Sequence, residues 1–390
     1  MQNQTAEPVL IIGAGPAGLA AAAELRRLHV PARIIERSDV IASSWRTRYD
    51  RLRLNTCRWN SKLRPEDHFE KGAPFFPLRD QAVRYLESFA AQHELDVRFG
   101  LEVDRINPSA DGWLVSTSEG PLTARQVIVA IGHQHTPWVP AWPGHEQFPG
   151  RILHSYDYRN PEPFRDCDVL VVGSGCSGLD IARDLAQGGA RRVRVAVRTP
   201  PNLLLKLSFG LPTDFVAAAL YRLPNWIADP IGRFIQRLNV GDLSRWGLVP
   251  PEVGIFTRLH EGDAPVIVDR GIIAAIKARD FDIVAGVAAV DADGVRLTDG
   301  TTLKPDVVIA ATGFKTGLEP LVGHLDVLDE GGMPFEFQGV PLQPGLRFLG
   351  YAPCMGVIGR DARRVVRHLY RELTGTEPPG LGPLQRLWPL

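Results

Sequence analysis

Val9-Leu10-Ile11-Ile12-Gly13-Ala14-Gly15-Pro16-Ala17-Gly18 is the stretch on which the reading of this chain turns. Its unbroken apolar run suits a strand buried on both faces of a parallel sheet. Glycines at G-x-G-x-x-G spacing follow, then an Ala- and Leu-rich helix over residues 19–28 and a second apolar strand over 32–35 that ends in Glu36. In a strand-turn-helix of this kind the first glycine permits the tight turn, the second lets the backbone approach a pyrophosphate, and the third lets helix and strand pack closely. The helix N-terminus supplies N–H donors and a positive dipole to the phosphates. A carboxylate at the end of the next strand suits the two ribose hydroxyls. G-x-G-x-x-G alone is a weak signal, but here the flanking strand, helix and acid make a dinucleotide site of Gly13, Gly15, Pro16, Gly18 and Glu36, with Arg37 and Trp45 as further candidates beside it.

The unit recurs. Residues 169–172 form an apolar strand, Gly173-Ser174-Gly175-Cys176-Ser177-Gly178 repeats the turn, a helix is expected over about 179–187, and the strand at 192–197 ends in Arg198-Thr199. An arginine attracts a 2′-phosphate where an acid would repel it, so NADPH is favoured over NADH at Gly173, Gly175, Ser177, Gly178, Arg198 and Thr199. The plain alternative is that Arg198 is a solvated charge. Two such sites in one chain imply a flavin and a pyridine nucleotide exchanging hydride, with FAD in the first and NADPH in the second. The fold class is therefore α/β, with two Rossmann-like dinucleotide-binding domains, the second inserted into the first.

Two further apolar strands, at 127–131 and 307–311, run into Gly132 and into Thr312-Gly313, as expected where a backbone passes close to something flat and bound. Pro137, Pro140, Pro143 and Pro149 mark a linker. The expected division is 1–165 for the first part of the FAD-binding domain, 166–312 for the NADPH-binding domain, and 313–390 for the return. Residues 201–240 read as a mostly helical apolar insertion, carrying Phe209, Phe215, Trp226, Ile227, Phe234 and Ile235, that serves as core or as a lid. Near the end, Gly356-Val357-Ile358-Gly359 precedes an expected helix over 362–369, whose N-terminus would face the flavin with Gly356 and Ile358 against it.

Composition narrows the function. Of the 390 residues 44% are hydrophobic and 23% charged, and 44 Lys plus Arg balance 44 Asp plus Glu, which leaves no basic field for nucleic acid. Cys57, Cys167, Cys176 and Cys354 show no C-x-x-C and no metal-ligand spacing. That removes a disulfide reductase and a zinc module, leaves no metal site expected, and suits unpaired thiols in a reducing cytoplasm. The apolar stretch at 9–23 follows Glu7 without Lys or Arg, unlike a signal peptide. No run of about 18 apolar residues offers an integral membrane segment. Nothing sets an oligomeric state.

Between the two glycine turns lies Phe148-Pro149-Gly150-Arg151-Ile152-Leu153-His154-Ser155-Tyr156-Asp157-Tyr158, which fits F-x-G-x-x-x-H-x-x-x-Y. Here the chain resembles the class B flavin-dependent monooxygenases, whose signature this is. The tyrosine at its end resembles the N-oxygenating and YUCCA-type members, and Tyr49-Asp50-Arg51-Leu52-Arg53-Leu54, Leu223-Pro224-Asn225-Trp226-Ile227-Ala228-Asp229 and Ala311-Thr312-Gly313-Phe314 resemble the YUCCA-type enzymes, which convert indole-3-pyruvate to indole-3-acetate. After Leu54 the chain carries Asn55-Thr56, the pair shown by N- and S-oxygenating members, where the YUCCA pattern has His-Leu.

The resemblance implies a cycle in which NADPH reduces FAD, O2 adds at flavin C4a to form a (hydro)peroxyflavin, and a small-molecule substrate takes an oxygen atom. It implies that Asn55 and Thr56 are the catalytic polar residues. Phe148, Gly150, His154 and Tyr158 are read as setting linker geometry and NADP placement, the alternative being that His154 and Tyr158 touch the chemistry. A 2-oxo acid, an amine and a thioether all stand as substrates. The rival readings are an NADPH-dependent flavin reductase or oxidase without oxygen insertion, and a non-catalytic nucleotide-binding flavoprotein.

Overall fold

The computed structural model describes residues 7–262, 265–352 and 354–379. The ends of the expected FAD-binding domain, 1–6 and 380–390, lie outside the described residues. The chain divides into two compact units, one made of Met1–Arg46, Cys57–Thr136 and Phe314–Leu390, the other of Thr47–Thr56 and Pro137–Gly313.

In the first unit β1 (Glu7–Ile12), α1 (Pro16–Arg27) and β2 (Arg33–Ile35) form the anticipated βαβ unit. Leu10 and Ile11 point to opposite faces of β1 and are both fully buried, as a strand covered on both sides requires. β1 pairs in parallel with β2 and with β3 (Gly120–Val129), which is itself the last strand of an antiparallel meander with Val103–Ser109 and Gly112–Thr117. The apolar stretch expected at 127–131 is thus the end of a longer strand whose first half is mostly exposed. Its core gathers Leu10, Ile12, Ile35, Ile106, Trp113, Val115, Val127 and Phe348.

The second unit has a five-stranded parallel sheet. It is built from β4 (Arg151–His154), β5 (Asp168–Val172), α2 (Cys176–Gln187), β6 (Arg192–Val197) and β7 (Val307–Ala310), with the strands ordered Asp282–Ala285, β6, β5, β7, β4. The boundary therefore falls at 136/137 rather than 165/166. The cause is β4, which is no linker but an edge strand, registered Ala310 against His154 on β7. Thr47–Thr56 also belongs to this unit, where Asp50 N–H donates to Arg159 O at 2.8 Å and the Tyr49 ring lies beside Tyr158.

The 201–240 insertion starts with a buried strand, Leu203–Leu205, paired with Val266–Val268, and continues into α3 (Thr213–Leu220) and α4 (Asn225–Asn239). Leu203, Leu204 and Leu205 are core, but Phe209, Trp226 and Phe234 are 64%, 76% and 63% exposed, so the expectation of core fails for them. The face of α4 that buries Ala228, Asp229 and Gly232 packs against Ile255 and Phe256, Ile227 and Ile235 are half-buried, and Trp226, Ile231, Phe234 and Leu238 turn outward.

The return to the first unit ends in α5 (Met355–Thr374). This helix begins seven residues before the expected 362, and Gly356 and Gly359 lie inside its first turns. Their poor helix propensity is overridden by packing. A methyl group on Gly356 would sit 2.5 Å from Asn60 O, and one on Gly359 1.9 Å from Leu63 O.

Candidate functional site

In the first unit the glycine turn connects β1 to α1. Gly13 has φ +106°, a conformation that favours glycine, and a methyl group on it would meet Ala130 O at 2.7 Å. One on Gly18 would overlap Gly13 O at 1.9 Å, while at Gly15 there is open space. The third glycine thus lets helix and strand meet, and the second leaves room for a diphosphate at the helix N-terminus, where Pro16 occupies the first turn without wasting a donor.

Glu36 is buried, and its Oε2 accepts from Ala14 N–H at 2.8 Å. Its Oε1 accepts from the N–H and the hydroxyl of Ser38 at 3.1 and 2.9 Å, so the carboxylate fixes the turn and keeps lone pairs on Oε2 for a ribose. Arg37 is exposed and Trp45 half-buried on the short Ser43–Arg46 helix. Gly132, at φ +77°, leaves its Cβ side open. Gly356 and Ile358 lie buried at the start of α5, where Gly356 N–H donates to Asn60 O at 3.0 Å. A cradle that a Cβ would fill and a carboxylate with spare lone pairs fit FAD.

The second unit repeats the geometry. Gly173 has φ +115°, a methyl group on Gly178 would lie 2.0 Å from Gly173 O, and Gly175 is open. Ser177 sits in the first turn of α2, and Arg198 and Thr199 are exposed just past β6. Among the described residues no carboxylate lies within ion-pair distance of Arg198. Gly286, on the neighbouring strand's end, could carry a methyl group only 3.0 Å from Arg198 Cα. These residues fit NADPH, phosphate on the helix terminus and 2′-phosphate on the guanidinium.

The linker signature closes around the end of β4. Gly150 is required because a methyl group there would meet Asp306 O at 2.6 Å. Phe148 packs against the cluster of Val172, Ala196 and Ala310. His154 is buried, accepts Tyr156 N–H on Nδ1 at 3.0 Å and donates from Nε2 to Gly313 O at 2.9 Å. Burial holds its pKa below the ordinary histidine range. Tyr158 is fully buried and donates to Asp184 Oδ2 at 2.8 Å, and burial with that carboxylate pushes its pKa far up. Thr312 donates to Trp138 O. All of these bonds are structural ties within the second unit.

Asn55 and Thr56 are half-buried in the second unit. The Asn55 side chain lies beside the Cys176 thiol at the start of α2 and acts to lower its pKa against the rise that burial imposes. Beside them is a group that sequence reasoning missed. Tyr49 Oη donates to Asp180 Oδ2 at 3.0 Å, and Lys206 Nζ donates to Arg53 O at 3.2 Å. A lone lysine in the run Leu203-Leu204-Leu205-Lys206-Leu207 was the available signal. Among the described residues no group of three or more His, Cys, Asp or Glu is placed to hold a metal ion, and no helix is long and apolar enough to cross a membrane.

The family model described as pyridine nucleotide-disulphide oxidoreductase matches residues 10–204. Indole-3-pyruvate monooxygenase YUCCA1 of Oryza sativa subsp. japonica is 38% identical over 315 residues, 79% of this chain and 77% of the relative. Probable indole-3-pyruvate monooxygenase YUCCA7 of Arabidopsis thaliana is 35% identical, over 83% and 77% of the two chains. The flavin-containing monooxygenase of Stenotrophomonas maltophilia shares the fold with a TM-score of 0.74, at 22% identity, over 95% of this chain and 100% of that one. With two nucleotide cradles and a sequence this similar, the chain belongs to the YUCCA-type family of FAD- and NADPH-dependent class B flavin monooxygenases.

Proposed function

We propose that this protein oxygenates a small aryl 2-oxo acid of the indole-3-pyruvate kind, in the cytoplasm. The observation that carries the reading is the pairing, in one chain, of a glycine cradle backed by Glu36 with another followed by Arg198. The 2-oxo acid is supported by the relatives named for indole-3-pyruvate.

When bound, the two nucleotides would supply hydride from NADPH and electron transfer through FAD to O2, so that one oxygen atom reaches the substrate, a 2-oxo acid losing its carboxyl group as carbon dioxide, and the other leaves as water. The chain's own residues bind, orient and exclude water. Backbone N–H groups from Gly13 to Gly18 and from Gly173 to Gly178 hold the diphosphates. Glu36 holds a ribose, Arg198 and Thr199 a 2′-phosphate. His154 and Tyr158 keep β4 and the Gly313 turn in place. Asn55 and Thr56 supply hydrogen bonds where oxygen is transferred, and no histidine or carboxylate is needed as an obligatory acid or base. Asn55-Thr56 also favours a second reading, in which an amine or thioether accepts the oxygen.

The test supplies NADPH and O2 with indole-3-pyruvate, a tertiary amine or a thioether, and measures NADPH, peroxide and product in one vessel. Indole-3-acetate formed in proportion to NADPH supports the proposal, and an N- or S-oxide the second reading. Peroxide alone with all three substrates would make the protein an oxidase, and an unreduced flavin would make it non-catalytic.

A further inference from the structure

We propose that Lys206 is a positioning residue for Asn55, acting through the Arg53 carbonyl and the Asp180 carboxylate. The inference rests on the reading that Asn55 serves oxygen transfer, and it names what holds that side chain still.

Lys206 is 8% exposed, in a run where its neighbours Leu203, Leu204 and Leu205 are core. A buried ammonium is costly unless it is paired and hydrogen-bonded. Here it donates to Arg53 O at 3.2 Å and feels the negative charges of Asp180 and Asp269. Asp269 is already engaged, since it holds the Arg183 guanidinium at 3.0 and 3.2 Å and caps the Arg270–Ala278 helix through Ile272 N–H. Asp180, from the second turn of α2, has Tyr49 Oη on its Oδ2. The segment Thr47–Thr56 is therefore attached to α2 and Lys206 at two points, Tyr49 to Asp180 and Arg53 to Lys206, with Asn55 lying beside Cys176.

Lys206 and Asp180 serve both points, which span five residues of chain on one side of Asn55. With Lys206 replaced by an apolar residue, Arg53 O loses a charged donor and Asp180, beside Tyr49, loses the larger of the positive charges that act on it. The segment then loses its register, while the glycine turn of α2, built from backbone alone, does not need the ammonium. Reduction by NADPH is expected to survive, and coupling of that reduction to oxygen transfer is not.

The experiment compares Lys206→Met, Lys206→Arg, Tyr49→Phe, Asn55→Ala and the Lys206→Met/Asn55→Ala double variant in the FAD-loaded enzyme. FAD content, KM for NADPH and peroxide released per NADPH are measured for each. Expected for Lys206→Met are FAD content and KM near the parent's, and a peroxide share raised by the same factor as in Asn55→Ala. The double variant should exceed the larger single effect by less than about twofold, since residues acting through one contact are not additive. Lys206→Arg, which keeps the donor and the charge, should recover coupling. Tyr49→Phe, which removes only one hydroxyl, gives the same readout should Lys206→Met not fold.

The proposal falls if Lys206→Met, or Tyr49→Phe in its place, stays as coupled as the parent. It falls equally if the single effects multiply in the double variant, or if KM for NADPH rises with coupling intact, which marks a merely structural lysine. Should Asn55→Ala itself remain coupled, the reading of Asn55 is what fails, and the proposal goes with it.

Discussion

His154 Nε2 donates to the carbonyl oxygen of Gly313 across 2.9 Å, joining residues 159 positions apart at the ends of two adjacent strands. The ring also accepts Tyr156 N–H, so both nitrogens are used only when the imidazole is neutral with its proton on Nε2.

Burial lowers the His154 pKa in the folded protein. Well above the unfolded value of about 6.5 both states are neutral; as pH falls through that value the unfolded chain takes up the proton first, so the folded state is penalised. Stability contributed by His154 is thus present above that pH and lost toward acid. Urea unfolding at about pH 7.5 and pH 5 should show the parent losing more stability than His154→Gln over that interval. The variant should itself be weaker by about 1–3 kcal/mol at the higher pH. Equal losses on acidification would mean that His154 does not couple folding to protons.

The two third-position glycines allow the nucleotide sites to be told apart. Gly18→Ala forces a methyl group to 1.9 Å from Gly13 O, and Gly178→Ala one to 2.0 Å from Gly173 O. Overpacking of that kind costs about 1–3 kcal/mol locally. Gly18→Ala should purify with depleted FAD. Gly178→Ala should purify yellow and be reduced slowly by NADPH. FAD loss in Gly178→Ala with retention in Gly18→Ala would exchange the assignments.

Both cradles were readable in the sequence because what makes each glycine necessary is local. The turn, the close approach and the following strand end all lie within about one βαβ unit of chain, in sequence order. Tyr49 and Asp180 are 131 residues apart, and no pattern along the chain announces that they meet. The same is true of β4: a Pro-rich span before it suggested a linker, whereas its place on the sheet edge depends on β7, far downstream. The early start of α5 was hidden because glycine propensity pointed the wrong way and only the Asn60 and Leu63 backbone explains it.

Apolar count alone also misjudged the insertion. Trp226 and Phe234 contribute little to the core, since both stand on the outer face of α4. Trp226→Ser and Phe234→Ser should change unfolding free energy by no more than about 0.5 kcal/mol each, the range of ordinary surface substitutions. Ala228→Leu, on the buried face against Ile255 and Phe256, should destabilise the protein by about 1–3 kcal/mol. Thermal and urea unfolding decide it; a large loss at Trp226 would mean that its ring is covered in solution.

We propose that Arg198 decides which nicotinamide nucleotide is used. It is exposed beyond β6, with no carboxylate among the described residues to neutralise it, and Gly286 keeps the backbone beside it uncrowded. A guanidinium forms charge-assisted hydrogen bonds to a phosphate monoester, each worth about 1.5–3 kcal/mol, which is on the order of a 10- to 150-fold change in affinity. NADH lacks the 2′-phosphate and gains nothing from that contact. Arg198→Ala should therefore raise the dissociation constant for NADPH by that factor and leave the one for NADH nearly unchanged, as measured by flavin reduction at increasing nucleotide. Arg198→Lys should fall between the two, because an ammonium keeps the charge without the planar fork. If NADPH and NADH weaken equally in Arg198→Ala, the arginine supports the strand end rather than reading the 2′ position.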